Sequence, residues 1–399
     1  MSADERPSQA GNIPENDAPP SGEHTVWVGD ETVPVDDEQA ATIANADEAP
    51  EPDDPRKPQR VVEIRGRSWR YVFRRAWWSM LTDVDIDAAG ALTYSAILSL
   101  FPGLLAMVSA LGVVGQGRAA TNWIVNFLGA HAPASVVELV GDPIRNLATT
   151  AGAGWVLAFS LAIAVWSAGG YVAGFGRAMN KIYGVAEGRP LWKIIPYNLL
   201  LTVITLVFAA LAMLTVLLSG DIARVVGDAV GLGAETQELW RWIKWPILGI
   251  AAIVFTSLMY YATPNVRQPH FRWITVGSVL ALAVMAGAVV AFSEWVNRFG
   301  RFNAYYGVIG SVIVLLLGVW IVNLALLFGA RVDAELERVR ELQAGLDAAD
   351  RILLPPRDDR VILATARTQQ RFVEKADRIR FRGPRRNGPT PATSTSHQG

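Results

Sequence analysis

Long apolar stretches at 88–114, 152–173, 196–219, 245–263, 273–296 and 305–330 alternate with polar connections along the middle of the chain. A run of about 20 apolar residues matches the hydrocarbon thickness of a bilayer. Within that layer only helices or closed barrels satisfy the backbone. These runs are too evenly apolar to alternate as barrel strands. The pattern predicts an all-α, polytopic integral membrane protein with six transmembrane helices.

The connections carry a second pattern. Between the first two stretches, residues 115–151 place Ile124, Phe127 and Leu128, then Val136, Val137, Val140, Ile144 and Leu147, at helical spacing on one face. Pro133 divides the two pieces. Ile222, Val225, Val226, Ala229 and Val230 repeat the pattern after the third stretch. Such helices are too one-sided to span and are expected to lie in the interface plane, either as a lid over a cavity or as a cover for the bundle.

Charge then divides the chain. Residues 1–58 hold fifteen Asp and Glu against three Lys and Arg, with many Pro, Ala and Gly, a composition expected to be disordered. The membrane domain is expected over 61–341. Residues 342–399 form a basic tail that is expected to be disordered from 383. Within it, Ile362, Ala366, Val373 and Ala376 recur at helical spacing beside Phe372, ringed by Arg360, Arg367, Arg371, Lys375, Arg378, Arg380 and Arg382. This predicts an amphipathic helix over 360–382 lying on an anionic membrane surface. Lys and Arg also accumulate before the first stretch, between the second and third, and between the fourth and fifth. That bias places both termini in the cytoplasm of a cell-membrane protein. The acidic start has no basic region leading into an apolar core, so no cleaved signal peptide is expected. There is no cysteine, which removes disulfides, thiolate metal sites and cysteine nucleophiles.

Polar residues inside the stretches are few. Ionisable groups there are costly and become functional candidates. Asp83, Asp85 and Asp87 precede the first stretch. They are read either as a favourable charge at a helix start, with Asp87 as its cap, or as a coordination or proton site. Glu294 is read as part of a local interfacial ion pair or as a translocation group. Tyr94, Ser95, Ser167 and Asn323 are candidate cavity residues. Asn323 needs an interhelical partner or water. Pro102 should kink or break the first helix, and broken membrane helices often line substrate sites.

Three blocks carry a family resemblance. The first runs from Asp85 through Thr93-Tyr94-Ser95 to Leu100-Phe101-Pro102. The second runs from Trp166-Ser167 to Arg177-Ala-Met-Asn180-Lys-Ile-Tyr183-Gly184. The third joins Phe302-Asn-Ala-Tyr305-Tyr306-Gly307 to Leu327-Phe-Gly329-Ala-Arg-Val-Asp333-Ala-Glu335. In order and spacing the chain resembles the BrkB/YihY family of inner-membrane proteins. It departs from that pattern at Thr93-Tyr94-Ser95, where paired tyrosines are common, and at Gly318, near a common Trp. The resemblance implies six transmembrane helices and an activity that is poorly defined. Members are associated with serum resistance, some look like exporters of lipids or envelope components, and some have carried a tRNA-processing ribonuclease label. It also brings Arg177, Asn180 and Tyr305 forward as candidate site residues.

The residues themselves oppose the ribonuclease reading. A zinc phosphodiesterase needs clustered His and carboxylate ligands, and His24, His131, His270 and His397 have no such spacing. No nucleotide-binding loop is present. The expectation is a non-enzymatic protein without a cofactor. Its expected partners are the lipid bilayer, anionic lipids through the basic tail, and a transported amphiphile of unknown identity, with no nucleic acid. The alternative is a membrane scaffold that recruits partners through its tails.

Overall fold

The computed structural model describes residues 24–28, 31–83, 85–113, 129, 153–217, 234–298 and 302–382. The two sets of one-sided helices expected in the connections lie outside these residues. The described helices are α1 (Asp37–Glu48), α2 (Gly66–Thr82), α3 (Asp85–Val113), α4 (Ala153–Tyr183), α5 (Leu191–Leu217), α6 (Ala234–Ala262), α7 (Val276–Arg298), α8 (Phe302–Gln343) and α9 (Arg360–Arg382). One antiparallel hairpin, β1 (His24–Val28) with β2 (Glu31–Val35), departs from an all-α chain.

Among the described residues, four stretches are long and apolar enough to cross a membrane: Leu191–Ala212, Glu238–Ala262, Val276–Trp295 and Val312–Gln343. At most 22% of any of their apolar windows is buried inside the protein, so most of their apolar surface needs lipid to cover it. Leu199, Leu200, Val207, Ile250, Val290 and Ile313 are among the side chains that face outward. Helix α3 packs chiefly against α4 and α8, and α7 packs against α8. The helix ends at Asp85, Tyr183, Leu191, Ala262, Val276 and the extension of α8 beyond Ala330 gather at one charged end, joined there by the bonds described below.

Several expectations need correction. Of the kink or break expected at Pro102, the break does not occur, since α3 continues across it. Asp87 lies inside the first turn of α3 and is exposed, so it does not cap the helix. Helix α2, absent from the pattern reading, precedes α3 and packs Val72 and Ala76 against Val332, Leu336 and Val339 of α8.

The acidic N-terminal segment is not uniformly disordered. Asp36 caps α1 in a reciprocal box: its Oδ1 accepts from Gln39 N at 2.8 Å, and its own N–H donates to Gln39 Oε1 at 3.4 Å. Asn45 Nδ2 donates to Ile352 O at 2.8 Å, and Ala186 N donates to the Thr42 hydroxyl at 2.7 Å. The segment is held by polar contacts to parts of the chain hundreds of residues away, which local composition does not encode.

The start of the basic tail is likewise part of the fold. Ile352 and Leu354 are fully buried in the same cluster as Leu92, Met179 and Leu327. Helix α9 spans the expected residues, but its apolar face is divided. Ala366 is buried beside Val35, Ala40 and Ile43, and Ile362 is also buried, while Phe372, Val373 and Ile379 are exposed. Only the second half of that face is free to meet a membrane.

Candidate functional site

The charged end is organised by α8. Its apolar run ends at Ala330, and the next turns carry Arg331, Asp333, Glu335, Glu337, Arg338, Arg340 and Glu341, of which all but Asp333 are under 9% exposed. Buried charges persist when each is paired. Arg331 grips Asp85 with Nε on Oδ2 at 2.6 Å and Nη2 on Oδ1 at 3.0 Å, and its Nη2 also reaches Asp83 Oδ2 at 2.6 Å. This forked geometry ties the start of α3 to α8. Lys57 reaches in from the N-terminal segment, with Nζ 3.0 Å from Glu337 and 3.3 Å from Glu341. Glu341 also accepts from Leu353 N at 2.8 Å.

Beside this network lies a cavity of about 110 Å³. Its wall includes Tyr183 of α4, Ser257 and Tyr260 of α6, Arg272 and Thr275 of the α6–α7 connection, and Asp333, Glu337 and Arg340 of α8. Asp333 Oδ1 accepts from Gly277 N at 2.7 Å, at the start of α7. Ser257 and Ser278 share a hydroxyl–hydroxyl bond of 2.8 Å, and Tyr260 donates to Leu326 O.

A second polar knot joins the connections. Asn180 Oδ1 accepts from Asn265 N at 2.7 Å, and Asn180 Nδ2 donates to Glu187 at 3.0 Å. Asn265 Nδ2 donates to Asp358 O at 2.8 Å, and Arg357 Nη2 donates to Tyr261 O at 2.6 Å. Burial opposes the charge on Asp358. The Lys193 ammonium 2.5 Å away, with the Arg360 backbone N–H, still holds its carboxyl below the ordinary value.

Deeper in the bundle, Tyr171 OH donates to Asn323 Oδ1 at 2.9 Å, and Asn323 Nδ2 donates to Thr93 at 3.2 Å. These bonds join α4, α8 and α3. Nearby is an apolar cavity of about 180 Å³, lined by Phe175, Phe208, Phe255, Met259, Leu282 and Met285 among others. Tyr260 and Phe175 stack in parallel at 6.2 Å, so one aromatic pair stands between the apolar and polar cavities.

The candidates read from sequence do not converge on one site. Asp83 and Asp85 meet at Arg331, Asn180 belongs to the connection knot, and Asn323 belongs to the interior triad. Tyr94 is 66% exposed, on an outward face. Ser95 returns its hydroxyl to Ala91 O at 3.1 Å. Pro102 and Ser167 are half-buried, and Arg177, Asp87 and Glu294 are exposed. Tyr305 lies in α8, but its side chain is outside the described residues. The polar cavity instead draws on Arg272 and Arg340, and its neighbouring network draws on Lys57. None of the three was singled out from sequence, since charge near an apolar run reads as a solvated flank. A partial signal was present in Glu337 and Glu341, four residues apart on α8.

The match to known proteins follows the same stretch of chain. The family described as virulence factor BrkB matches residues 79–351. The chain belongs to that family. The matched region takes in the end of α2 and all of α3 to α8, stops just before the buried Ile352 and Leu354, and omits α1 and α9. Relatives include the ribonuclease-like protein YfkH of Bacillus subtilis, 26% identical over 63% of this chain and 90% of the relative. A UPF0761 membrane protein of Pseudomonas aeruginosa is 25% identical over 63% of this chain, but the match spans only 59% of its length. A UPF0761 membrane protein of Aliivibrio salmonicida is 24% identical over 67% of this chain and 84% of its own. No solved structure matches. Among the described residues no three His, Cys, Asp or Glu are grouped to hold a metal ion.

Proposed function

We propose that this BrkB-family membrane protein moves a lipid or lipid-like amphiphile across the cell membrane. The observation that carries the reading is the apolar cavity at the level of the spanning helices, set against a polar cavity on the same helix α6. An amphiphile needs both environments, and a scarcity of charge along the spanning interior suits such a cargo better than an ion. In this reading α3 and α4, of 29 and 31 residues, are spanning helices with α5 to α8, which gives six. The Lys and Arg bias supports a cytoplasmic charged end and cytoplasmic termini. The ribonuclease-like name of one relative is not carried over: at 26% identity it stays that relative's, and among the described residues no metal-holding group of side chains supports it.

The test is reconstitution of the purified protein into vesicles holding a fluorescent phospholipid, with an impermeant quencher added outside. Protein-dependent loss of the protected inner-leaflet signal is expected, and Phe255→Trp, which fills the apolar cavity, should slow it. Redistribution no faster than in protein-free vesicles would overturn transport. A scaffold role is favoured by one observation, the exposed Phe372, Val373 and Ile379 of α9 among basic residues. That surface fits attachment to an anionic leaflet.

A further inference from the structure

The polar cavity is short of one kind of group. Its carboxylates already have donors: Asp333 takes the Gly277 N–H, while Glu337 takes Lys57 on Oε1 and Arg340 Nη1 on Oε2. Its guanidiniums are in the opposite condition. Among the described residues Arg340 gives a hydrogen bond only from Nη1, and Arg272 only from Nη2, to Gln59 O at 2.6 Å. Arg340 is 92% buried; its Nε is sealed away from the cavity, while its Nη2 and the Nε and Nη1 of Arg272 have no acceptor among the described residues. Buried donors are nearly always satisfied, and an exception marks a missing partner. What the cavity lacks is an acceptor, and guanidiniums recognise oxyanions through paired N–H groups.

We propose that this cavity binds a small oxyanion, the phosphate of a soluble ester or of a lipid headgroup, through Arg272 and Arg340. Its volume of about 110 Å³ equals roughly three or four waters at about 30 Å³ each. That accommodates one tetrahedral oxyanion and excludes a whole lipid, so a lipid would insert its headgroup alone. The hydroxyl of Thr275 adds a neutral polar group to the same wall, and His270, on the wall with an 86% exposed side chain, marks the open side. Lys57 pairs with Glu337 and Glu341 and Arg340 Nη1 with Glu337, so an anion held by Arg272 and Arg340 Nη2 would leave those ion pairs in place. The site goes beyond the transport reading and does not require that anything be moved.

The test measures binding to the full chain in uncharged detergent, by titration calorimetry and thermal unfolding. The probes are sodium phosphate against sodium chloride at equal ionic strength, and dihexanoyl phosphatidate against dihexanoylglycerol, which lacks the phosphate. Saturable binding of phosphate or phosphatidate is expected. It should weaken roughly tenfold or more in Arg272→Gln and in Arg340→Lys, the loss of a charge-assisted hydrogen bond. Binding of phosphate alone assigns a soluble ligand, and binding of phosphatidate alone assigns a headgroup. No binding of either, or binding unchanged in Arg272→Gln, overturns the proposal. If Arg340→Lys does not fold, Arg272→Gln decides alone. Because binding is read without transport, a negative vesicle assay leaves this result standing.

Discussion

Gly277 and Gly329 bring α7 and α8 into backbone contact. A Cβ on either residue would overlap the carbonyl oxygen of the other, and one on Gly329 would also come within 2.7 Å of the Tyr260 hydroxyl and the Ala281 methyl. This approach is what allows Gly277 N to reach Asp333 on the next turn of α8. Small residues permit close helix crossings in membranes, where dispersion rather than water exclusion favours association.

Gly329→Ala should therefore cost about 2 kcal/mol or more of stability, the range for overpacking a tight site. Gly170→Ala, where an added Cβ meets nothing within 4 Å, serves as the control. Thermal unfolding in detergent compares the two. Equal stability would place the crossing elsewhere.

Lys57→Met should destabilise by about 3 kcal/mol, because it leaves buried carboxylates without their cation. Glu337 keeps Arg340, whereas Glu341 keeps only the Leu353 N–H. Adding Glu341→Gln should then recover part of the loss. A double-mutant cycle checks the coupling, and additivity would show that Lys57 and Glu341 do not act as a pair.

Asn323→Leu removes both bonds of the interior triad at similar volume. The expected cost is modest, about 1 kcal/mol, since interhelical hydrogen bonds in membranes are individually weak. Tyr171→Phe, which loses one bond, should cost less. Unfolding in detergent ranks the variants, and the reverse order would exclude Asn323 as the shared centre.

The chain has no cysteine, so single-cysteine labelling reports orientation without background. Ala132→Cys should react with an impermeant thiol reagent from outside the cell, and Ser396→Cys only after permeabilisation. The opposite pattern would invert the orientation.

An isolated peptide of residues 360–382 should bind vesicles rich in anionic lipid, gain helicity there and release in high salt. Each basic residue near the surface contributes about 1 kcal/mol at low salt, screened over about 8 Å under physiological conditions. Affinity that is equal for neutral and anionic vesicles would remove the electrostatic contribution.

The spanning helices were legible because lipid imposes one condition, long uninterrupted apolarity, that is visible residue by residue. Their ends were less so. Helix α8 continues from Ala330 into Arg331 and on to Gln343 without a break, and a charged helical surface looks the same in sequence whether water or a buried counter-charge faces it. Arg340 was hidden for that reason, and Lys57 and Arg272 because a basic residue in a connection reads as solvated. Asp85 was visible as an acid at a helix start, but its partner Arg331 lies 246 residues away, and pairing at that distance leaves no local trace. The hairpin and α1 were masked by a composition rich in acid and proline. The capping box at Asp36 and Gln39 was the one local mark of order there.

The position of Lys57 bears on the order of assembly. Its partner Glu337 is 280 residues further along the chain, so this early lysine waits through synthesis of nearly the whole membrane domain before its acceptor exists. Until then the charges of α8 have not been made, and Lys57 has no carboxylate to meet there, although Thr42 of α1 can already bond Ala186 N. Lys57 thus leaves the ribosome early and reaches its partners late. Closure of the charged end therefore cannot precede the synthesis and packing of α8.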